Sequence, residues 1–332
     1  MFVVVVVMVA TGLAAALALT DWIGGGHERA GAPNPRAGPG APSTTAPGSG
    51  LEIPRTTTPA TTRDPALWPF ATDSPWNTPL GSRATFDSRE VASDGEINAS
   101  NGFGVSVGGA GYPLVDQATG RPDQESHYSF IDPERMVAEE WYEYQNPANP
   151  NRNSSITDLR GDGLHTTVAP GTGRHHQQRA SQVSQLGGLI RVADIQRGVI
   201  PHALALALPD RTLRNGYVWP AFGQDGDAAV AYHGFVPMGS LVAIPSWVPM
   251  PSGLSRVGQM IWYALSHYGA YVVDRTTPSS VLMAEAAADP LVDPARNDMT
   301  AIMSQVRLVT NSDRTQVGGP GTRLAPWAPA LR

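Results

Sequence analysis

The sequence predicts a mainly β fold, a β-sandwich or jelly-roll-like domain carrying one or two short helices. Three observations lead there. Short runs rich in Val, Ile, Leu and Tyr recur between turn residues. Gly 35 and Pro 30 make turns too frequent for long helices. Only one segment carries a persuasive helical period.

The folded body is expected over 67–310, opening at "LWPFATDSPWNTPLG", where Trp68, Phe70 and Trp76 arrive together. "HYSFID" (127–132), a turn at Pro133-Glu134 and "RMVAEEWYEYQ" (135–145) read as a hairpin. "GGLIRVADI" (187–195) is a short apolar segment opened by glycines, and further strands fall at 217–221, 240–245, 270–275, 280–286 and 306–310. Between Pro201 and Pro209 leucine and alanine alternate strictly, too briefly for a convincing helix. As a strand this run puts Leu204, Leu206 and Leu208 on one face and Ala203, Ala205 and Ala207 on the other, with His202 at its mouth on the leucine side. A face so small implies that another element or a ligand packs very close to it. Leu254, Val257, Ile261 and Leu265 mark the helix, with Gly269 as its stop, and a second short helix is expected over 297–305. Residues 311–332 read as a C-terminal tail.

Upstream, Phe2 to Leu19 carries no charge, and Ala16-Leu17-Ala18 offers a small-x-small cleavage site. Residues 1–23 are therefore a signal peptide or a signal anchor, the latter tethering the chain to the membrane through residues 2–19. Residues 24–66, rich in Pro, Thr, Ala and Gly, lack the apolar side chains that would offset the entropy of ordering and form a stalk. This order places the body outside the cell, secreted or held at the outer face of the cytoplasmic membrane.

A net charge of −6 argues against nucleic acid as a partner. The absence of cysteine excludes disulfides, thiolate nucleophiles and thiolate zinc sites, and the absence of lysine excludes Schiff-base chemistry. No HExxH or EF-hand loop occurs, and His175-His176 is a poor ligand spacing, so neither a metal nor a cofactor is expected.

The hairpin holds the densest chemistry. Along its second strand Glu140, Tyr142 and Tyr144 share one face, and Glu139, Trp141 and Glu143 the other, with His127 and Asp132 on the partner strand. Rings that stack on sugars beside carboxylates suit polysaccharide binding or cleavage, with Glu140 and Asp132 as acid and base or nucleophile. A solvated amphipathic strand gives the same pattern. His202, Asp274 and Arg191 lie in apolar segments where ionisable groups need partners, and His202 with Asp274 would make a structural pair or an acid/base couple. His165, after Asp158 and Asp162 in the glycine-rich "RGDGLHTT", could cradle a small ligand. "GVSVG" around Ser106 matches a nucleophile elbow, but no helix follows.

"SPWNTP" (74–79), "GGLIR" (187–191), "GVIPHALALALP" (198–209), "VWPA" (218–221), "PMGSLVAIP" (237–245) and "YGAYVVD" (268–274) together resemble a large group of secreted bacterial proteins, mostly actinobacterial, without assigned activity. The resemblance implies an extracellular β-rich domain acting on polysaccharide; it carries over no catalytic residue. The expectation is an exported carbohydrate-active enzyme, a glycoside hydrolase or polysaccharide lyase with catalytic candidates Glu140, Asp132, His202, Asp274 and His127. Trp141, Tyr142, Tyr144, Arg191, Asp158 and His165 are the candidate substrate contacts. The alternative is a non-catalytic envelope protein that binds glycan or a partner.

Overall fold

A computed structural model describes residues 62–108, 127–142, 154–168 and 179–332, all within one compact unit. The apolar leader, nearly all of the stalk, Tyr144 and His175-His176 lie outside the described residues. The strands are β1 (Thr62–Arg63), β2 (Phe86–Glu90), β3 (Glu96–Val107), β4 (His127–Asp132), β5 (Val137–Tyr142), β6 (Ser154–Asp158), β7 (Thr166–Val168) and β8 (Leu204–Pro209). They continue with β9 (Leu213–Tyr217), β10 (Val236–Met238), β11 (Leu241–Ala243), β12 (Ala270–Thr276), β13 (Val281–Glu285), β14 (Arg307–Val309) and β15 (Ala330–Leu331). Five short helices join them: α1 (Val192–Arg197), α2 (Ala228–Ala231), α3 (Arg256–His267), α4 (Asp289–Val292) and α5 (Met299–Met303).

Eleven strands form one mixed sheet in the order β2-β14-β11-β12-β8-β13-β3-β4-β5-β6-β7. The fold is mainly β and sandwich-like, with few and short helices. β8 lies inside this sheet, parallel to β12 and antiparallel to β13, so its backbone is paired on both edges. Burial of both faces makes it a near-continuous apolar run. Leu204, Leu206 and Leu208 pack with Val257, Ile261 and Leu265 of α3 and with Ile302 and Met303 of α5. Each such leucine contributes roughly 1.5–3 kcal/mol. Helix α3 takes in Val257, Ile261 and Leu265 but begins after Leu254, where the Ser255 hydroxyl accepts the Gly258 N–H at 3.0 Å as an N-terminal cap.

The alanine face meets protein. Ala203, Ala205 and Ala207 belong to a second core with Phe70, Trp76, Leu186, Leu189 and Tyr271. Ala205 N–H donates to Gly188 O at 2.9 Å, and Ala203 N–H to Trp76 O at 2.8 Å. A Cβ on Gly188 would lie 2.4 Å from the Ala205 nitrogen, and one on Gly187 would lie 2.3 Å from the Trp76 ring. The loop 184–189 thus lies directly against β8, and the small alanine side chains pack in the same core as its Leu186 and Leu189.

Three expectations change. "GGLIRVADI" turns into a bridge at Ile190 followed by α1, because Asp194 caps the Arg191 N–H at 2.9 Å and starts a helix. The run 217–221 is strand only at Tyr217; the Ala221 N–H closes a turn onto Val218 O at 2.9 Å. The expected tail is part of the fold: Leu324 N–H donates to Leu80 O at 2.9 Å, Ala325 and Ala328 are buried, and β15 pairs with β1.

Trp76 is buried, and its ring meets Tyr271 edge-on at 5.3 Å. Trp76→Ala should cost about 3–5 kcal/mol by the cavity it leaves. Gly188→Ala should also destabilise, since its φ of +75° and the backbone contact both oppose a side chain. Chemical denaturation of both variants against the parent checks this.

Candidate functional site

The sequence motif around Trp76 does more than pack. The Ser74 hydroxyl donates to Asp162 O at 2.7 Å, and the Ala71 N–H donates to Gly161 O at 2.7 Å. The 73–75 segment is thereby stitched to the loop between β6 and β7. Gly163, at φ +73°, allows that loop to press on Phe70 and Trp76, where a Cβ would approach both rings within 2.8 Å. Residues of both segments line an open groove of ≈ 220 Å³. Its lining includes Asp73, Asp162, His165, Trp219, Phe222 and Arg314. The turn after β9 supplies the rings; Phe222 N–H is tied to Ser181 O at 2.9 Å. Arg314 comes from the 312–317 loop, where the Asp313 carboxylate accepts the N–H groups of Thr315 and Gln316.

Within the groove Asp162 and His165 form a pair. Nδ1 of His165 donates to Asp162 Oδ2 at 2.7 Å, while Oδ1 accepts the N–H groups of Leu164 and His165 at 2.8 and 3.1 Å. Partial burial alone would raise the Asp162 carboxyl, but these hydrogen bonds and the imidazole hold it below the usual carboxylate range. The imidazole ring meets Phe222 edge-on at 5.3 Å, and two-thirds of the His165 side chain (67%) is exposed. An ionised carboxylate on Nδ1 leaves Nε2 as the acceptor of the neutral ring.

The hairpin candidates are arranged differently. Antiparallel register sets Ser129 opposite Glu140 and Asp132 opposite Val137, so Glu140 and Asp132 project from opposite faces of the sheet. They do not form an acid/base couple. Glu140 is 0% exposed, and its carboxylate accepts from Thr157 Oγ1 at 3.0 Å, Ser184 Oγ at 2.5 Å and Leu186 N at 3.3 Å. Burial pushes its carboxyl up, against the opposing pull of those bonds and of nearby Arg179. Arg179, also buried, donates to the carbonyls of Ser184, Gln185 and Gly187. Both side chains hold the loop that covers the alanine face. Asp132 caps its own turn by accepting the N–H groups of Glu134 and Arg135, and Asp158 does the same for Arg160. His127 stacks on Phe103 at 4.8 Å. Trp141 is half-buried on the face of Glu139, and Tyr142 ends β5.

His202 does not pair with Asp274. It lies in the bend before β8 and lines a cavity with Trp76, Leu186, Gly188 and Leu189, on the alanine side rather than the leucine side, because regular alternation begins only at Leu204. Its Nε2 sits 3.2 Å from Asp194 Oδ2 and its Nδ1 2.9 Å from Ala203 O, so both ring nitrogens face acceptors. Burial would raise the Asp194 carboxyl, but the charges of His202 and Arg197 and the bonds from His202 and Arg191 hold it low. Arg191 pairs with Glu285 at 2.6 Å, both side chains being buried. The adjoining cavity measures ≈ 10 Å³, room for about one water. A sugar chain cannot enter it, so this cluster clamps α1 to β8 and β13. Asp274 sits on β12, and burial pushes its carboxyl up to about 6, with the Asp225 charge adding to that. Ser106 is buried within β3, so no elbow forms there.

Sequence reading found His165 and noted Asp162. It missed Trp219, Phe222, Arg314 and Asp73; the "VWPA" run was visible but read as strand. Among the described residues no group of three or more His, Cys, Asp or Glu is placed to hold a metal ion, and no helix is long and apolar enough to cross a membrane. No protein-family model, no curated protein and no solved structure matches the chain.

Asp194 and Asp274 act on stability in opposite directions. The Asp194 contribution is complete above its unfolded value of about 3.9 and is lost as pH falls toward its depressed folded value. Asp194→Asn should remove that acid dependence and cost about 3–5 kcal/mol at neutral pH by stranding its buried partners. Asp274 is raised, so the stability from its protonation is present below about pH 4 and lost as pH rises through about 6. Asp274→Asn should therefore gain relative to the parent across that window. Denaturation at a series of pH values checks both.

Proposed function

We propose that this chain is an exported carbohydrate-active protein whose folded body takes a polysaccharide along the Trp219–Phe222 groove. The observation that carries the reading is the meeting of two aromatic rings, an Asp–His pair and a guanidinium in one open groove. Rings offer flat apolar surface to pyranose faces, and the charged groups offer directional bonds to hydroxyls and acids. At ≈ 220 Å³ the groove is smaller than the roughly 300–1,000 Å³ of enclosed small-molecule sites, which suits a polymer held along a surface. The apolar Phe2–Leu19 segment and the Pro/Thr-rich stretch after it support export, because glycan polymers are met outside the cell.

Titration calorimetry of the full chain against neutral and acidic polysaccharides tests this. Phe222 sits outside both hydrophobic cores and is 40% exposed. Phe222→Ala should thus weaken binding about tenfold, ~1.4 kcal/mol, with an unchanged thermal midpoint. Trp219→Ala should weaken it at least as much. Failure to bind any polysaccharide, or binding indifferent to both substitutions, would overturn the reading.

A further inference from the structure

We infer that the groove accepts a uronate-bearing glycan and that His165, aligned by Asp162, cleaves it by β-elimination with Arg314 on the uronate carboxylate; this rests on the glycan reading above. Three observations on the molecule support it.

The first is the composition of the groove. Glycoside hydrolysis by the usual route needs two carboxyl groups, one of which must carry a proton. Asp73 and Asp162 are the carboxyl groups that line this groove. Asp162 is committed to His165 Nδ1 and to two backbone N–H groups, and is held ionised by them. It cannot serve as the acid. Asp73 alone leaves the groove one carboxyl group short of that pair, while the imidazole is a further group that can exchange a proton.

The second is the state of that imidazole. With Nδ1 donating to Asp162, the neutral ring presents Nε2 as a base, and among the described residues Nε2 has no hydrogen-bond partner. The charged groups lining the groove with it are Asp73, Asp162 and Arg314. Fixing a ring through Nδ1 is the arrangement by which a carboxylate orients a general base. The third is Arg314. Arg314 lines the groove, yet among the described residues it makes no ion pair and no hydrogen bond. Every donor of its planar fork is available to a planar carboxylate.

The chemistry balances without a further reagent. Nε2 of His165 takes the proton from the uronate carbon bearing the carboxylate, and Arg314 stabilises the negative charge that spreads onto that group. The released electron pair forms a double bond to the neighbouring ring carbon. The bond from that carbon to the glycosidic oxygen breaks, and the oxygen leaves with its electrons and takes a proton from water or from the imidazolium. The products are a free hydroxyl end and an unsaturated uronate end. No redox change occurs.

The test uses the full chain with polygalacturonate, alginate and hyaluronan as acidic probes and dextran as the neutral one. Binding is read by calorimetry, and cleavage by the ultraviolet absorption of the conjugated enoate. Acidic polymers should bind more tightly than dextran, and at least one should yield enoate. His165→Gln and His165→Ala should each lose about 10²–10⁴-fold in kcat, with affinity within about threefold and an unchanged thermal midpoint. Asp162→Asn keeps the turn-capping oxygen, so it should lower kcat while leaving KM in place, as a positioning role requires. Arg314→Gln should raise KM for acidic polymers and leave dextran unaffected. Acidic binding without enoate, or enoate undiminished in both His165 variants, overturns elimination while the glycan groove stands. Tighter binding of dextran overturns the uronate assignment. No binding to any polymer overturns both.

Discussion

The wedging of Trp76 between the loop backbones at Gly163 and at Gly187–Gly188, with β8 beyond, is the contact on which the rest of the molecule depends. A ring of that size fits only where its neighbours have no side chains, so three glycines surround it. The loop 184–189 is held within hydrogen-bonding distance of β8, and the small alanine face of that strand packs in the same core as Trp76 and Leu186. Trp76 also holds the 73–75 segment and the 161–165 loop against each other. Asp73 and the Asp162–His165 pair, carried by those two segments, line the groove. Core packing and groove geometry are in this sense one constraint.

Ionisable groups inside the body fall into two kinds, separated by access to water. Glu140, Arg179, Asp194, Arg191 and Glu285 are buried, and each is met by hydrogen bonds to loop backbone or by an opposite charge. Burial makes removal of one partner costly, so such groups hold loops in a single arrangement. His165 keeps the opposite balance: a fixed tautomer from Asp162 and an open second nitrogen. Burial alone therefore does not single out the groove, which is marked by its geometry.

The hairpin shows how a pattern can be read correctly and its use misjudged. The alternation of Glu139, Glu140 and Trp141 is real, and β4 and β5 pair as expected. The face bearing Glu140, however, is turned to the interior, where Ser184 and Thr157 were waiting as partners from sequence-distant segments. His202 illustrates the same limit. Its need for a partner followed from its apolar surroundings, but Asp194 satisfies it, since α1 returns the chain to the start of β8.

The sequence alone determined the mainly β architecture, the hairpin, β8, the helix from Arg256 to His267 and the smallness of one strand face, because each follows from a local period or from turn residues next to one another in the chain. It also drew attention to His165. Tertiary structure decided what covers the alanines, which acids are buried, and that Asp73, His165, Phe222 and Arg314 line one groove. Those outcomes rest on contacts between segments up to hundreds of residues apart, and no local period in a single chain records which distant segment will meet which.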